Sequence, residues 1–151
     1  MLEVIENYVD KDFEDKVLAL IPEKGAKGKD RNQILRYGVN RPYGTFHVSN
    51  EIPEVFSQIE VPYNSVTINE YKEGQRIDWH KDARDGGNAI YIVSLLSDGV
   101  LKFRKDGEIK EFLLPRYSLA VMSEDLRYTW EHYFEAEKPR VSIVLRKSKT
   151  K

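Results

Sequence analysis

The chain has 151 residues, of which 40% are hydrophobic, 11% aromatic and 32% charged; this composition excludes intrinsic disorder and supplies one core's worth of apolar surface. It contains no cysteine, which excludes a disulfide scaffold, a zinc ribbon, a thiol nucleophile and an iron–sulfur cluster. The net charge is −1 at pH 7, but it is unevenly distributed. Residues 1–23 carry seven acids against Lys11 and Lys16, whereas Lys24, Lys27, Lys29, Arg31, Arg36 and Arg41 are offset only by Asp30. Residues 138–151 carry Lys138, Arg140, Arg146, Lys147, Lys149 and Lys151 and no acid. These basic segments suit either phosphates or a solvated loop and tail.

The opening Met1-Leu2-Glu3-Val4 has no basic leader, and the uncharged aliphatic stretch 17–22 is too short to span a bilayer. The expectation is a cytoplasmic protein with neither signal peptide nor transmembrane segment. Phe13, Val17, Leu20 and Ile21 recur at helical spacing and predict a helix over 10–21, with Asp10 as N-cap and Pro22 as stop. Residues 24–29 hold two glycines and read as a loop. A second short helix is expected over 53–59, where Ile52, Val55, Phe56 and Ile59 share a face and Pro53 suits the first turn.

After Pro62 the apolar period falls to two. Strands are expected at 64–71, 90–96, 100–104, 108–113, 118–122, 128–133 and 141–146. Turn signals separate them at Asp85-Gly86-Gly87-Asn88, Ser97-Asp98-Gly99 and Asp106-Gly107, the last being the favoured type I′ hairpin pair. The fold class is therefore mainly β (α+β): two helices packed on an antiparallel sandwich or barrel.

Three histidines are present: His47, His80 and His132. In extended backbone, residues i and i+2 point the same way, so His80 and Asp82 can reach one metal ion. His132, on a later strand, can supply a third ligand. Two histidines and a carboxylate on one side of a metal make the facial triad of non-haem Fe(II) oxygenases, which leaves positions open for cosubstrate and O2. His-x-Asp alone is equally compatible with a structural role. The last strand adds a second signal. Arg140, Ser142, Val144 and Arg146 share one face, and Val141, Ile143 and Leu145 share the other. Inside a small barrel, two guanidinium groups need anionic partners, and two together can grip the ends of a short dicarboxylate. On an edge strand the same two residues would simply be solvated. Thr67, Asn69 and Tyr71 share a face of an earlier strand, with an amide and a phenol able to bond a carboxylate.

In chain order the residues are Asn69-x-Tyr71, Gly74, His80-x-Asp82, Ile92-Val93-Ser94-Leu95-Leu96, Leu114-Pro115-Arg116-Tyr117-Ser118, Arg127-Tyr128-Thr129-Trp130-Glu131-His132 and Arg140-x-Ser142-x-Val144-x-Arg146. From about Arg36 to Arg146 this series resembles the AlkB family of Fe(II)/2-oxoglutarate-dependent dioxygenases. The resemblance implies a double-stranded β-helix (jelly-roll) core over 63–146, N-terminal helices and a substrate lid over 1–62, and a basic tail over 147–151, all as a single domain 1–151. It implies Fe(II), 2-oxoglutarate and O2 as cofactor and cosubstrates, with His80, Asp82 and His132 as iron ligands. It places Asn69, Tyr71 and Arg140 at the distal carboxylate of 2-oxoglutarate, and Ser142 and Arg146 near the proximal one.

The family oxidises methyl groups on alkylated bases of DNA or RNA, releasing succinate, CO2 and formaldehyde, and some members act on protein or tRNA. The implied partner is therefore nucleic acid, with no membrane and no obligate protein partner. A hydroxylase of a protein side chain or small molecule is the rival expectation, and a non-catalytic jelly-roll binding module is a third. Three features depart from the family pattern. His132 and Arg140 are only eight positions apart, Ser142 stands where some members have Asn, and Arg84 stands where some base-repairing members have an acid. Candidate substrate contacts are Arg36, Tyr37, Tyr43, Trp79 and Arg84, since aromatics stack on extruded bases and Arg meets phosphates. Against that, Tyr37, Phe46 and Trp79 can equally pack on the core, and His47 has no assigned role.

Overall fold

A computed structural model describes residues 2–23, 32–40, 47–48, 50–82 and 87–148, with the side chains of residues 40, 47 and 48 outside the description. Lys24, Lys27, Lys29, Arg31, Arg41, Tyr43, Phe46, Arg84, Asp85 and residues 149–151 thus lie outside the described residues, as does the side chain of His47.

Helix α1 spans Lys11–Leu18. Its N-cap is Asp10, whose Oδ1 accepts the Phe13 N–H at 3.0 Å. It stops earlier than the apolar spacing predicts: the Leu20 N–H bonds Val17 O and the Ile21 N–H bonds Leu18 O, tightening the chain into Pro22. Phe13 and Val17 are completely buried. Phe13 meets Phe56 edge-on at 6.1 Å, and Phe56 is carried by the second expected helix, a 3-10 turn over Glu54–Gln58.

The strands are β1 (Glu3–Ile5), β2 (Gln33–Asn40), β3 (His47–Val48), β4 (Ser65–Tyr71), β5 (Arg76–His80), β6 (Ala89–Leu95), β7 (Gly99–Lys105), β8 (Glu108–Leu114), β9 (Leu119–Ser123), β10 (Glu131–Glu135) and β11 (Arg140–Arg146), with helix α2 (Glu124–Tyr128) before β10. They form a seven-stranded sheet, β1-β9-β6-β11-β4-β2-β3, and a four-stranded sheet, β5-β10-β7-β8. All ladder pairings between these strands are antiparallel. This is the mainly β, jelly-roll architecture expected from the sequence. The β7–β8 hairpin turns at Asp106 and Gly107, both with positive φ, as a type I′ pair requires.

Four strands were not expected. β1 and β5 are too short to show a period, and β2 and β3 lie where the lid was expected; each forms because a neighbouring strand offers an open edge. One expected strand is displaced. Residues 128–133 were to be extended, but α2 takes the first of them and β10 begins at Glu131. Asp125 holds this turn, accepting from Trp130 Nε1 at 3.0 Å while its backbone carbonyl accepts from Thr129 Oγ1.

Two apolar cores result. One lies between the sheets and includes Tyr71, Ile90, Ile92, Leu101, Phe103, Met122, Trp130 and Phe134. The other lies between the seven-stranded sheet and α1 with the 3-10 turn, and includes Phe13, Val17, Phe56, Val66, Ile68, Val93, Val141, Ile143 and Leu145. The period-two alternation of β11 therefore sends its apolar face toward the helices and its polar face toward the space between the sheets. Among the described residues, no helix is long and apolar enough to cross a membrane.

Candidate metal and cosubstrate site

The four-stranded sheet brings the two histidines together. β10 and β5 pair so that His132 lies opposite His80, and their rings are 4.2 Å apart. Asp82 follows the end of β5. Its Oδ1 is 3.3 Å from His80 Nε2 and 3.5 Å from His132 Nε2. One ligand atom from each residue falls within 4.8 Å of the others, the arrangement that can hold one metal ion.

The protonation states suit a cation. His80 Nδ1 lies 2.7 Å from the Asp78 carbonyl. A carbonyl only accepts, so Nδ1 carries the proton and Nε2 presents its lone pair. Burial pushes His132 down to about 4, leaving it neutral at pH 7. Burial also pushes the Asp82 carboxyl up, but the Arg146 guanidinium outweighs it and holds the group well below the usual carboxylate range.

The seven-stranded sheet supplies the second half. In the β11–β4 register Arg140 faces Tyr71, Ser142 faces Asn69, Val144 faces Thr67 and Arg146 faces Ser65; on its other side Ser142 faces Ser94 of β6. At one end Arg146 Nη2 bonds Asp82 Oδ2 at 2.6 Å, tying the strand to the metal group. At the other end Arg140 is buried to 2% exposure, with its guanidinium over the Phe134 ring. Its Nη2 donates to Ser94 Oγ at 3.0 Å and its Nη1 to Ser97 O at 3.3 Å, both neutral oxygens. Its Nε has no hydrogen-bond partner among the described residues. Burial pushes the guanidinium down to about 10, low for an arginine. A buried guanidinium with an unsatisfied N–H, on a strand paired with the one that carries Asn69 and Tyr71, fits a carboxylate. Gly99 is required beside it, because a Cβ there would lie 3.1 Å from Arg140 Cζ and 2.7 Å from Phe134 Cε1.

The candidate substrate residues are not gathered in this way. Arg36 is exposed on β2, opposite Thr67, on the polar side of the sheet. Tyr37, the next residue, faces the other way and packs with the helix-side core. Trp79 alternates away from His80, with its ring 5.3 Å from Tyr133 and the Arg104 guanidinium at 4.5 Å. Tyr43 and Arg84 lie outside the described residues.

Arg127 belongs to the motif series, which implies no role for it. It is 1% exposed, and its Nη1 donates to Asp82 O at 3.1 Å and its Nε to Gly87 O at 3.2 Å, so α2 anchors the backbone of Asp82. A buried Arg is the signal, but burial is not visible in the strand pattern expected there.

The sequence pattern of the 2OG-Fe(II) oxygenase superfamily matches residues 28–149. An uncharacterized protein of Acanthamoeba polyphaga mimivirus is 29% identical over 85% of this chain and 70% of its own length. The tRNA (carboxymethyluridine(34)-5-O)-methyltransferase alkbh8 of Xenopus tropicalis is 26% identical over 85% of this chain, which spans only 24% of that protein's length. Among solved structures, OsALKBH1 shares the fold with a TM-score of 0.74 at 12% identity, covering 97% of both chains.

Proposed function

Because the chain belongs to the 2OG-Fe(II) oxygenase superfamily, as an AlkB-like member that uses Fe(II), 2-oxoglutarate and O2, we propose that it oxidises an alkyl group on nucleic acid. When bound, the iron with its cosubstrates supplies oxidative attack on an unactivated C–H bond. The chain's own residues do the positioning. His80, Asp82 and His132 hold the metal from one side. Arg140, with Asn69 and Tyr71, grips the distal carboxylate of 2-oxoglutarate. Arg146 orients Asp82 and, with Ser142, borders the proximal carboxylate. The apolar core between the sheets keeps water from the buried ends of these groups.

The observation that carries the cosubstrate reading is Arg140: a completely enclosed cation whose Nε has no described partner, on the same strand face as the arginine bonded to the metal group. Support for nucleic acid comes from the AlkB-like motif series and from the likeness to the Xenopus tropicalis tRNA (carboxymethyluridine(34)-5-O)-methyltransferase. The test is anaerobic binding of Fe(II) and 2-oxoglutarate, followed by assay of succinate and formaldehyde with N-methylated DNA and RNA oligonucleotides. Formaldehyde released in step with succinate is the expected result. Succinate formed at the same rate with and without every oligonucleotide would overturn the nucleic-acid substrate.

The placement of Tyr37 and Trp79 on faces turned away from the metal group favours a second reading, hydroxylation of a protein side chain or small molecule, since neither ring is set to stack on an extruded base. Oxidised peptide or small-molecule product without formaldehyde would decide for it.

A further inference from the structure

Glu14 is a carboxylate on α1 with 0% exposure, on the helix side of the seven-stranded sheet and away from the metal group. Burying a carboxylate is costly unless its oxygens are fully bonded. Here Oε2 accepts the backbone N–H of Leu96 at 2.7 Å and Arg116 Nε at 3.0 Å, while Oε1 accepts Arg116 Nη2. Burial pushes the carboxyl up, and these hydrogen bonds more than reverse it, so the group is held ionised.

The N–H that Glu14 holds belongs to a strained residue. Leu96 has φ +71, a left-handed conformation that a branched, non-glycine residue adopts only when its surroundings impose it. Leu96 opens the turn from β6 to β7. Arg116, the other partner of Glu14, uses its own backbone N–H to bond Asp98 Oδ1 at 2.7 Å, in the same turn. Glu14, Leu96, Asp98 and Arg116 therefore close a ring around residues 96–98. That turn surrounds Arg140. Ser97 O accepts Arg140 Nη1, Ser97 Oγ donates to Pro139 O at 2.9 Å immediately before Arg140, and Gly99 lies against the guanidinium.

We propose that Glu14, through Arg116 and the 96–98 turn, is a positioning residue for Arg140 and so for the distal carboxylate of the cosubstrate. This rests on the cosubstrate reading above. The helix that covers the outer face of the sheet thereby sets a binding geometry on its inner face, and His80, Asp82 and His132, on or just past strands of the other sheet, are not part of the ring.

The experiment loads the protein with Mn(II) and titrates it calorimetrically with 2-oxoglutarate and, separately, with pyruvate, a 2-oxo acid that can chelate the metal but has no distal carboxylate. In Glu14→Gln the affinity for 2-oxoglutarate should fall about tenfold, the scale of one charge-assisted hydrogen bond, while pyruvate affinity changes less than about twofold. Equal losses for both acids, or none for either, would overturn the positioning role. Should Glu14→Gln not fold, the exposed Asp98 carries the test. Asp98→Ala and Asp98→Asn both remove the charge, but only Asn keeps an acceptor for the Arg116 N–H, so 2-oxoglutarate should bind Asp98→Asn more tightly by about threefold. Equal affinity in those two variants counts against the role. A wild-type protein that binds both acids equally overturns the cosubstrate reading itself. One that prefers 2-oxoglutarate, with the preference kept in Glu14→Gln, overturns only the positioning role.

Discussion

The two faces of the seven-stranded sheet are built from the same strands and do opposite work. Toward α1, β11 shows Val141, Ile143 and Leu145, all completely buried, and β4 and β6 add Val66, Ile68, Val93 and Leu95. Toward the second sheet the alternating positions are Arg140, Ser142, Val144 and Arg146, three of them polar, beside Asn69, Thr67, Ser65 and Ser94. The first face is satisfied by packing alone. The second is stable only if each polar group finds a partner: Arg146 finds Asp82, and Arg140 finds two neutral oxygens and a ring, with its Nε left without a partner among the described residues. The difference teaches where binding energy is held in this fold. It resides on the face whose bonding is incomplete, and the complete face provides the stability that tolerates it.

Removing a metal ligand is the hardest break. His80→Ala should abolish 2-oxoglutarate turnover and weaken Mn(II) binding without unfolding the chain, since His80 is partly exposed and fills little core volume. Succinate production at the wild-type rate in this variant would sink the ligand assignment. Next comes the apolar face. Ile143→Ala should cost about 2–5 kcal/mol in denaturant unfolding, as a completely buried aliphatic does, and leave 2-oxoglutarate affinity nearly unchanged below the transition. If it instead altered cosubstrate binding as much as stability, the division of labour between the faces would not hold.

The polar face should answer in the reverse sense. Arg140→Lys keeps the charge and loses the planar fork, so the 2-oxoglutarate requirement should rise by ten- to a hundredfold, about 1.5–3 kcal/mol. Arg140→Met should be worse, because a carboxylate would enter without its counter-charge. An unchanged requirement in Arg140→Met would mean that the arginine serves packing alone.

The smallest effect concerns the link between the faces. The Glu14 carboxyl is held below its ordinary value of 4.5, so the stability it contributes is present above that pH and is lost as the pH falls through the folded-state value. Wild type should therefore lose more stability than Glu14→Gln as the pH drops below about 4.5, as read by urea midpoints at stepped pH. Parallel curves would show that the carboxylate is not specially stabilised.

Local pattern determined a good deal here. A period of two along β11 and β4 settles which residues share a face; Asp10 before an apolar helical spacing settles the cap; Asp106-Gly107 settles a hairpin; and the i, i+2 spacing of His80 and Asp82 settles that the two side chains point one way. These are properties of a few adjacent residues, with the physics contained in their own backbone. Partner identity is not. Alternation placed Tyr37 opposite in sense to Arg36 and Trp79 opposite to His80, yet only the docking of α1 on one sheet and the pairing of β5 with β10 decided that both rings turn away from the metal group. Residues 128–133 have strand-like composition, but Asp125 captures Thr129 and Trp130 and a helical turn forms there, carrying Arg127 inward to the Asp82 carbonyl. Glu14 reads in sequence as one more acid in a helix, and its partner Leu96 is 82 residues away. No periodicity reports such a contact, because a buried carboxylate is defined by what folds over it.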